Sequence, residues 1–304
     1  MSKQVMTVRG PVSPGELGHT QMHDHVFADL SWPRHRWLAI PITDEVQMTE
    51  EVRLYKEAGG GTLVDPTLEH IGRDPEKLRR VSEASDVHIV MGTGFYREPY
   101  YPEFVNKWTT QRLADYMIDE IENGVGDTGI KPGIIGEIGL DKAWVQGVEE
   151  RVLRAAARAQ VATGLALTTH TTMYMALEFL EIFQEEGVEV DRVILGHLDG
   201  TLEMPELERV AATGAYMEFD LIGIEWINSD KRRAEFLAEL VRQGHQDRLV
   251  IAQDMPARPR LKTNGGHGYQ YLIETFLPML RNEGISEEAI HAMTQTNPAR
   301  VLAV

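Results

Sequence analysis

The chain has 304 residues, of which 42% are hydrophobic and 25% charged, with a formal net charge of −17 and no cysteine. That length suits one large core, while the acidic balance argues against a general phosphate-backbone binder, which needs clustered Lys and Arg. Without cysteine there is no disulfide, thiolate ligand or Cys nucleophile, so any metal must sit on N and O atoms.

The N-terminal MSKQVMTVRG lacks the apolar run of a secretory signal, and no stretch nears the roughly 20 apolar residues of a membrane span. The expectation is a cytoplasmic protein with neither a membrane nor a nucleic-acid partner. After Gly10-Pro11, residues 18–26 read as a first strand carrying His23 and His25 near its end. Strand side chains alternate with period two, so both imidazoles project from one face and can reach one metal ion. Residues 28–42 form a long, Pro-broken connection with Trp32 and Trp37, the kind of loop in which substrate contacts are built. Residues 44–58 show helical spacing at Val46, Val52 and Leu54, and Gly59-Gly60-Gly61 stops the helix.

A second strand is expected at 62–65, a helix near 74–85 and a third strand at 87–91, which runs into the aromatic loop Phe95-Tyr96 and Tyr100-Tyr101. A long amphipathic helix over about 103–124 precedes the fourth strand, 133–140, which sets Glu137 among apolar neighbours. An unpaired buried carboxylate is costly, and a metal is one of the few partners that suffice. An Ala-rich helix (147–163) leads to strand five (165–170), ending at His170; a Met- and Leu-rich helix (173–185), whose stripe reads as core packing, leads to strand six (193–199) with His197. Strand seven (215–220) and strand eight (249–254), ending at Asp254, complete the set, followed by a Pro-, Arg- and Gly-rich loop and two closing helices.

Eight strands, each followed by a helical segment, imply parallel pairing through right-handed crossovers. The expected fold is therefore α/β, a (β/α)8 TIM barrel filling residues 1–304 as a single domain. An open doubly wound sheet is the runner-up, but no GxGxxG or Walker-type loop supports it.

In such a barrel the C-terminal strand ends meet at one rim, where His23, His25, Glu137, His170, His197 and Asp254 converge. Six ligands are too many for one tetrahedral zinc but suit two divalent ions. Zinc is the first expectation, and manganese, cobalt, nickel or iron would also accept N and O ligands. His23, His25 and Asp254 are assigned to the more buried ion, His170 and His197 to the other, and Glu137 to both. Water between two such cations loses a proton near neutrality, so the expected nucleophile is a bridging hydroxide. Asp65 is expected either to hydrogen-bond a ligand histidine or to cap the next helix. His19 and His88 fall at strand starts, away from the rim; His35, His70, His245 and His291 read as surface, and the loop of His267 borders the rim. Arg258, Arg260 and Lys262, in the loop after strand eight, are candidates to hold an anionic head-group such as a carboxylate or sulfonate.

The strings GHTQMHDHVF, GIIGEIGL, TTHT, ILGHLDG, AQD and the C-terminal NPARVLAV, in this order, resemble the phosphotriesterase-related branch of the amidohydrolase superfamily over essentially the whole chain. The resemblance implies a metal-dependent barrel with the six ligands at the family's motif positions. It also implies hydrolysis of a carboxylic ester, lactone or amide, and more weakly of a phosphotriester. Many relatives bridge their metals with a carboxylated lysine on strand four; here Glu137 stands in its place, as in one branch, so metal binding should be indifferent to bicarbonate. Asp254 would take the hydroxide proton and pass it to the leaving group, and Tyr96 would orient the substrate carbonyl. Lactonase relatives carry an arginine just after strand seven, where this chain has Phe219-Asp220-Leu221-Ile222, which weakens acyl-homoserine-lactone specificity. Two other readings stand beside this one: a TatD-like nuclease, which shares H-x-H and a GEIGLD strand, and a metal-stabilised binding protein without turnover. A small-molecule substrate and a homodimer complete the expectation.

Overall fold

The computed structural model describes residues 3–31, 40–171 and 175–304. Trp32, His35, Trp37 and Met173 lie outside the described residues. An antiparallel hairpin, Val5–Thr7 with Gly10–Val12, opens the chain. The barrel strands follow as β1 (His19–Gln21), β2 (Gly60–Asp65), β3 (His88–Thr93), β4 (Ile134–Gly139), β5 (Leu167–His170), β6 (Val193–Leu195), β7 (Tyr216–Phe219) and β8 (Leu249–Ile251). All pair in parallel and in sequential order within one eight-stranded sheet. The two outer strands meet just beyond their ends: Met22 N–H donates to the Ile251 carbonyl at 3.4 Å and Asp254 N–H to that of His23 at 3.0 Å. Those bonds curl the sheet into the expected barrel.

Helices α1 (Glu45–Glu57), α2 (Pro75–Ser85), α3 (Thr110–Asn123), α4 (Gly147–Thr163), α5 (Ala176–Glu185), α6 (Met204–Ala211) and α7 (Asp230–Arg242) carry the chain back between strands. Two closing helices follow over 271–282 and 287–302, each containing a π-turn, Leu272–Phe276 and Ala292–Thr296. Side chains cap two of the first helices: Asp44 accepts from the N–H groups of Val46 and Gln47, and Asp74 from that of Lys77. The same rule corrects the expected 103–124 helix. Thr109 accepts from Arg112 N–H and starts α3 at Thr110, while Glu103–Asn106 forms a separate 3-10 turn. On α1 the buried face is Met48, Glu51, Val52 and Tyr55, and Val46 is 82% exposed, so the apolar stripe runs one notch away from the expected one.

Inside the barrel, Met22, Val64, Val90, Ile134, Ala166, Ile194, Tyr216 and Val250, one from each strand or its flank, pack with Val5, Leu17, Val301 and Leu302 into a solvent-free floor. A side chain of this size contributes roughly 1.5–3 kcal/mol on burial. Larger clusters fill the layer between the strands and the helices, including Phe179, Leu180 and Phe183 of α5, as the Met/Leu stripe predicts. The floor places the next inward-facing positions at the C-terminal mouth.

Candidate metal centre

The strand ends differ from the expected ones in a way that shapes the site. β1 stops at Gln21, β6 at Leu195 and β8 at Ile251, so His23, His25, His197 and Asp254 lie past their strands rather than on them. His197 and Asp254 adopt left-handed backbone, with φ of 56° and 44°. One left-handed residue turns the chain out of the sheet and swings its side chain over the mouth, a strained choice that functional sites retain. Two glycines permit the close approach of neighbours: a Cβ on Gly136 would meet the Thr168 carbonyl oxygen at 2.1 Å, and one on Gly196 that of Thr169 at 2.2 Å.

All four imidazoles converge on Glu137. Its carboxylate lies 3.4 Å from His23 Nε2, 3.4 Å from His25 Nε2, 3.0 Å from His170 Nδ1 and 3.7 Å from His197 Nε2. Asp254 Oδ1 is 3.2 Å from His25 Nε2 and 4.0 Å from His23 Nε2. Burial alone would raise the Glu137 pKa, but His23, His170 and His197 hold it well below the usual carboxylate range. Burial likewise opposes ionisation of Asp254, and His25 and His197 reverse it, so this carboxyl also titrates low. His170 is pushed down to about 4 by burial and by its neighbour His197, whose Nε2 is 2.6 Å from His170 Nδ1. That pair of ring nitrogens and His23 Nε2, which is buried without a hydrogen-bond partner among the described residues, all face the Glu137 carboxylate. His23, His25 and Glu137 form one set of donor atoms lying within 4.8 Å of one another, and Glu137, His170 and His197 another. The donor chemistry suits divalent cations that accept N and O ligands.

Two carboxylates escaped the sequence reading. Asp220 reaches two of the imidazoles at once, with Oδ1 2.8 Å from His197 Nδ1 and Oδ2 3.1 Å from His23 Nδ1, and it accepts the His197 backbone N–H. Glu218 approaches His23 Nδ1 at 3.6 Å; burial first, then Asp220, raises its pKa to about 7. Period two over 216–220 sets Tyr216, Glu218 and Asp220 on one face, with Asp220 just past the end of β7, but does not say which side chains meet them. Anions on the far nitrogens fix ring orientation and tautomer, the usual support for ligating histidines. Asp65 serves one step further out. It accepts the N–H groups of Val26 and Thr67, and Thr67 Oγ1 then sits 2.6 Å from His25 Nδ1.

Tyr96 stands at the mouth as expected, its hydroxyl 3.3 Å from both ring nitrogens of His170, and burial raises its pKa, so it remains a donor at neutral pH. Arg258 and Arg260, expected to hold an anionic head-group, stand in the loop after β8. Arg260 gives its guanidinium to the carbonyls of Gln253, Asp254 and Ile222, bracing the loops after β7 and β8, and Arg258 opens an exposed 3-10 turn. Those carbonyls take three of the five N–H donors of Arg260. His70 also differs from its expected surface position: its ring stacks on Phe95, its Nε2 accepts the Tyr96 N–H, and burial followed by the Arg73 charge lowers its pKa to about 3. His19 and His88 sit at the opposite end of the barrel, against Tyr55 and Arg9.

With this geometry established, comparison with known proteins is informative. Residues 3–302 match the Phosphotriesterase family. The chain is 32% identical over 347 residues to the N-acetyltaurine hydrolase of Salmo salar, covering 99% of this chain and 98% of that protein. The solved phosphotriesterase homology protein of Escherichia coli, complexed with phosphate in its active site, superposes with a TM-score of 0.91 at 33% identity, covering 94% of this chain and 99% of the other. A lactonase from Listeria monocytogenes superposes with a TM-score of 0.92 at 26% identity over 98% of each chain.

Proposed function

The chain belongs to the phosphotriesterase family, and from that premise we propose that it is a metal-dependent hydrolase of a small carboxylic amide, lactone or ester. The observation that carries the reading is the ring of four imidazoles around one buried carboxylate, with a second carboxylate, Asp254, at the open side of the ring. His23, His25 and Asp254 would hold one divalent ion and His170 and His197 a second, with Glu137 shared. Ions there, zinc first among them, would supply Lewis-acid polarisation of a carbonyl and a water of lowered pKa.

The remaining work falls to the chain. Asp254, ionised at neutral pH and the more exposed of the two carboxylates, takes a proton from the attacking water on Oδ1. It returns that proton to the leaving nitrogen or oxygen as the bond from the carbonyl carbon breaks. Tyr96 donates its hydroxyl hydrogen toward the substrate carbonyl. Glu137 needs no carbon dioxide to become a carboxylate, so activity is independent of bicarbonate. Full-length kinship with N-acetyltaurine hydrolases favours the amide within this set, and the family match over residues 3–302 weighs against the nuclease reading.

The test is turnover by protein loaded with zinc or manganese, across N-acylated amino acids, N-acetyltaurine, lactones, aryl esters, a phosphotriester and single-stranded DNA. Hydrolysis of a carboxylic substrate that stops on chelation is expected. A fully metallated sample that cleaves none of them sinks the proposal in favour of a binding protein, and cleavage of DNA alone favours the nuclease.

A further inference from the structure

We propose that Arg97 is the anion-holding group of the substrate site, and that the preferred substrate carries a carboxylate or sulfonate a short spacer away from the scissile carbonyl. This deepens, and rests on, the carboxylic-hydrolase reading above. Arg97 follows Tyr96 in the loop after β3. Its guanidinium carbon stands 5.2 Å from the centre of the Tyr96 ring and 5.6 Å from that of Tyr100. The Tyr96 ring in turn lies 4.9 Å from that of His170. Arg97 and His170 therefore both lie against the Tyr96 ring, close enough for a small amide to set its carbonyl at the Tyr96 hydroxyl and its acidic end at Arg97.

Arg97 is preorganised but not used up. Nη1 meets Asp141 Oδ1 at 3.1 Å, and the Asp141 backbone is itself pinned by Glu149, which accepts its N–H at 2.7 Å. Nε is buried and, among the described residues, has no hydrogen-bond partner, while the side chain as a whole is partly exposed. Two aromatic faces and one carboxylate thus hold a guanidinium with donors to spare, and such a planar fork fits carboxylate and sulfonate oxygens. Arg260 gives three of its donors to backbone carbonyls and Arg258 opens an exposed turn; among the described residues it is Arg97 that is stacked on tyrosine rings beside the imidazoles. The need is electrostatic. Glu137, Asp254, Asp220 and Glu218 crowd this mouth in a protein of net charge −17, and an acidic substrate requires a local cation to approach it.

The experiment compares wild type, Arg97→Gln and Arg97→Lys on N-acetyltaurine, N-acetyl-β-alanine, neutral N-acetylethanolamine and a neutral aryl ester. Binding of N-acetyltaurine is measured separately by calorimetry. Arg97→Gln is expected to lower kcat/KM for the acidic amides by about 10- to 100-fold, mostly through KM, the loss of a charge-assisted hydrogen bond. The neutral substrates should change by less than threefold, and Arg97→Lys should recover part of the loss. Equal losses on acidic and neutral substrates would assign Arg97 to loop support and overturn the proposal. So would turnover of esters and lactones by a wild type that neither binds nor cleaves the acids, a result that leaves the hydrolase reading standing. Arg97-dependent calorimetric binding of N-acetyltaurine without turnover of anything upholds the anion site and overturns the hydrolase reading instead.

Discussion

Replacing Asp254 by Asn isolates the proposed proton carrier, because the substitution keeps shape while removing charge. Asp254 sits at φ 44°, a left-handed conformation that Asn tolerates nearly as well as Asp. Its backbone bonds, N–H to the His23 carbonyl and carbonyl to Arg260, do not involve the side chain and persist. What is lost is a carboxylate 3.2 Å from His25 Nε2. For the fold, a charge-assisted hydrogen bond of that kind is worth about 1.5–3 kcal/mol, so the melting temperature should fall by only several degrees. For catalysis, a positioned acid–base contributes roughly 10²- to 10⁴-fold, or about 3–5 kcal/mol of barrier, so kcat on the best carboxylic substrate should drop by that factor with bound metal largely retained. Asp254→Ala should lose similar activity and a further 1–2 kcal/mol or so of stability, because alanine pays the left-handed backbone cost. The assay pairs kcat with elemental analysis and thermal melts on the same preparations. A kcat within threefold of wild type would refute the proton-transfer role, and a collapse of metal content in step with kcat would make Asp254 a ligand alone.

Glu137→Ala removes the carboxylate on which four imidazoles converge, and should cost most of the bound metal together with about 3–5 kcal/mol of stability; unchanged metal content by elemental analysis contradicts the shared-ligand assignment. Behind β3, Arg73 and Glu120 form a buried ion pair at 2.6 Å that also takes the Thr93 hydroxyl and the Gly92 carbonyl. Glu120→Gln strands that arginine, and urea denaturation should show a loss of about 3–5 kcal/mol; a loss below 1 kcal/mol or so would mean the pair is dispensable. His70 supplies a pH test. Its folded pKa, near 3, lies below the ordinary 6.5, so the unfolded chain takes up the proton first as the pH falls. The His70 contribution is complete above pH 6.5 and is lost progressively down to about pH 3. Urea midpoints should therefore fall more steeply between pH 7 and 4.5 for wild type than for His70→Asn, which keeps an acceptor for the Tyr96 N–H but cannot titrate; parallel curves would contradict the assignment.

Much of the fold and half of the site were legible because they rest on local spacing. Apolar runs punctuated by Gly and helix caps marked eight strand–helix units, and parallel pairing with right-handed crossovers then left few topologies other than a barrel. Because barrel closure brings every strand end to one mouth, the residues at those ends, His23, His25, Glu137, His170, His197 and Asp254, were grouped before any coordinate was known. The left-handed turns at His197 and Asp254 were not legible, since they depend on how each chain leaves the sheet. Nor was Asp220, whose importance arises only when two histidines from distant segments close on its two oxygens.

Charge was where spacing misled most. Arg258, Arg260 and Arg97 all stand in loops at the mouth, and nothing in their sequence neighbours distinguishes them. The amino-acid sequence by itself determined the architecture, the candidate donor atoms and the absence of any thiolate ligand, because these follow from residue type and periodicity. Only the tertiary structure decided which guanidinium braces backbone carbonyls and which is stacked on tyrosine rings, because such partners are assigned by three-dimensional contact between segments.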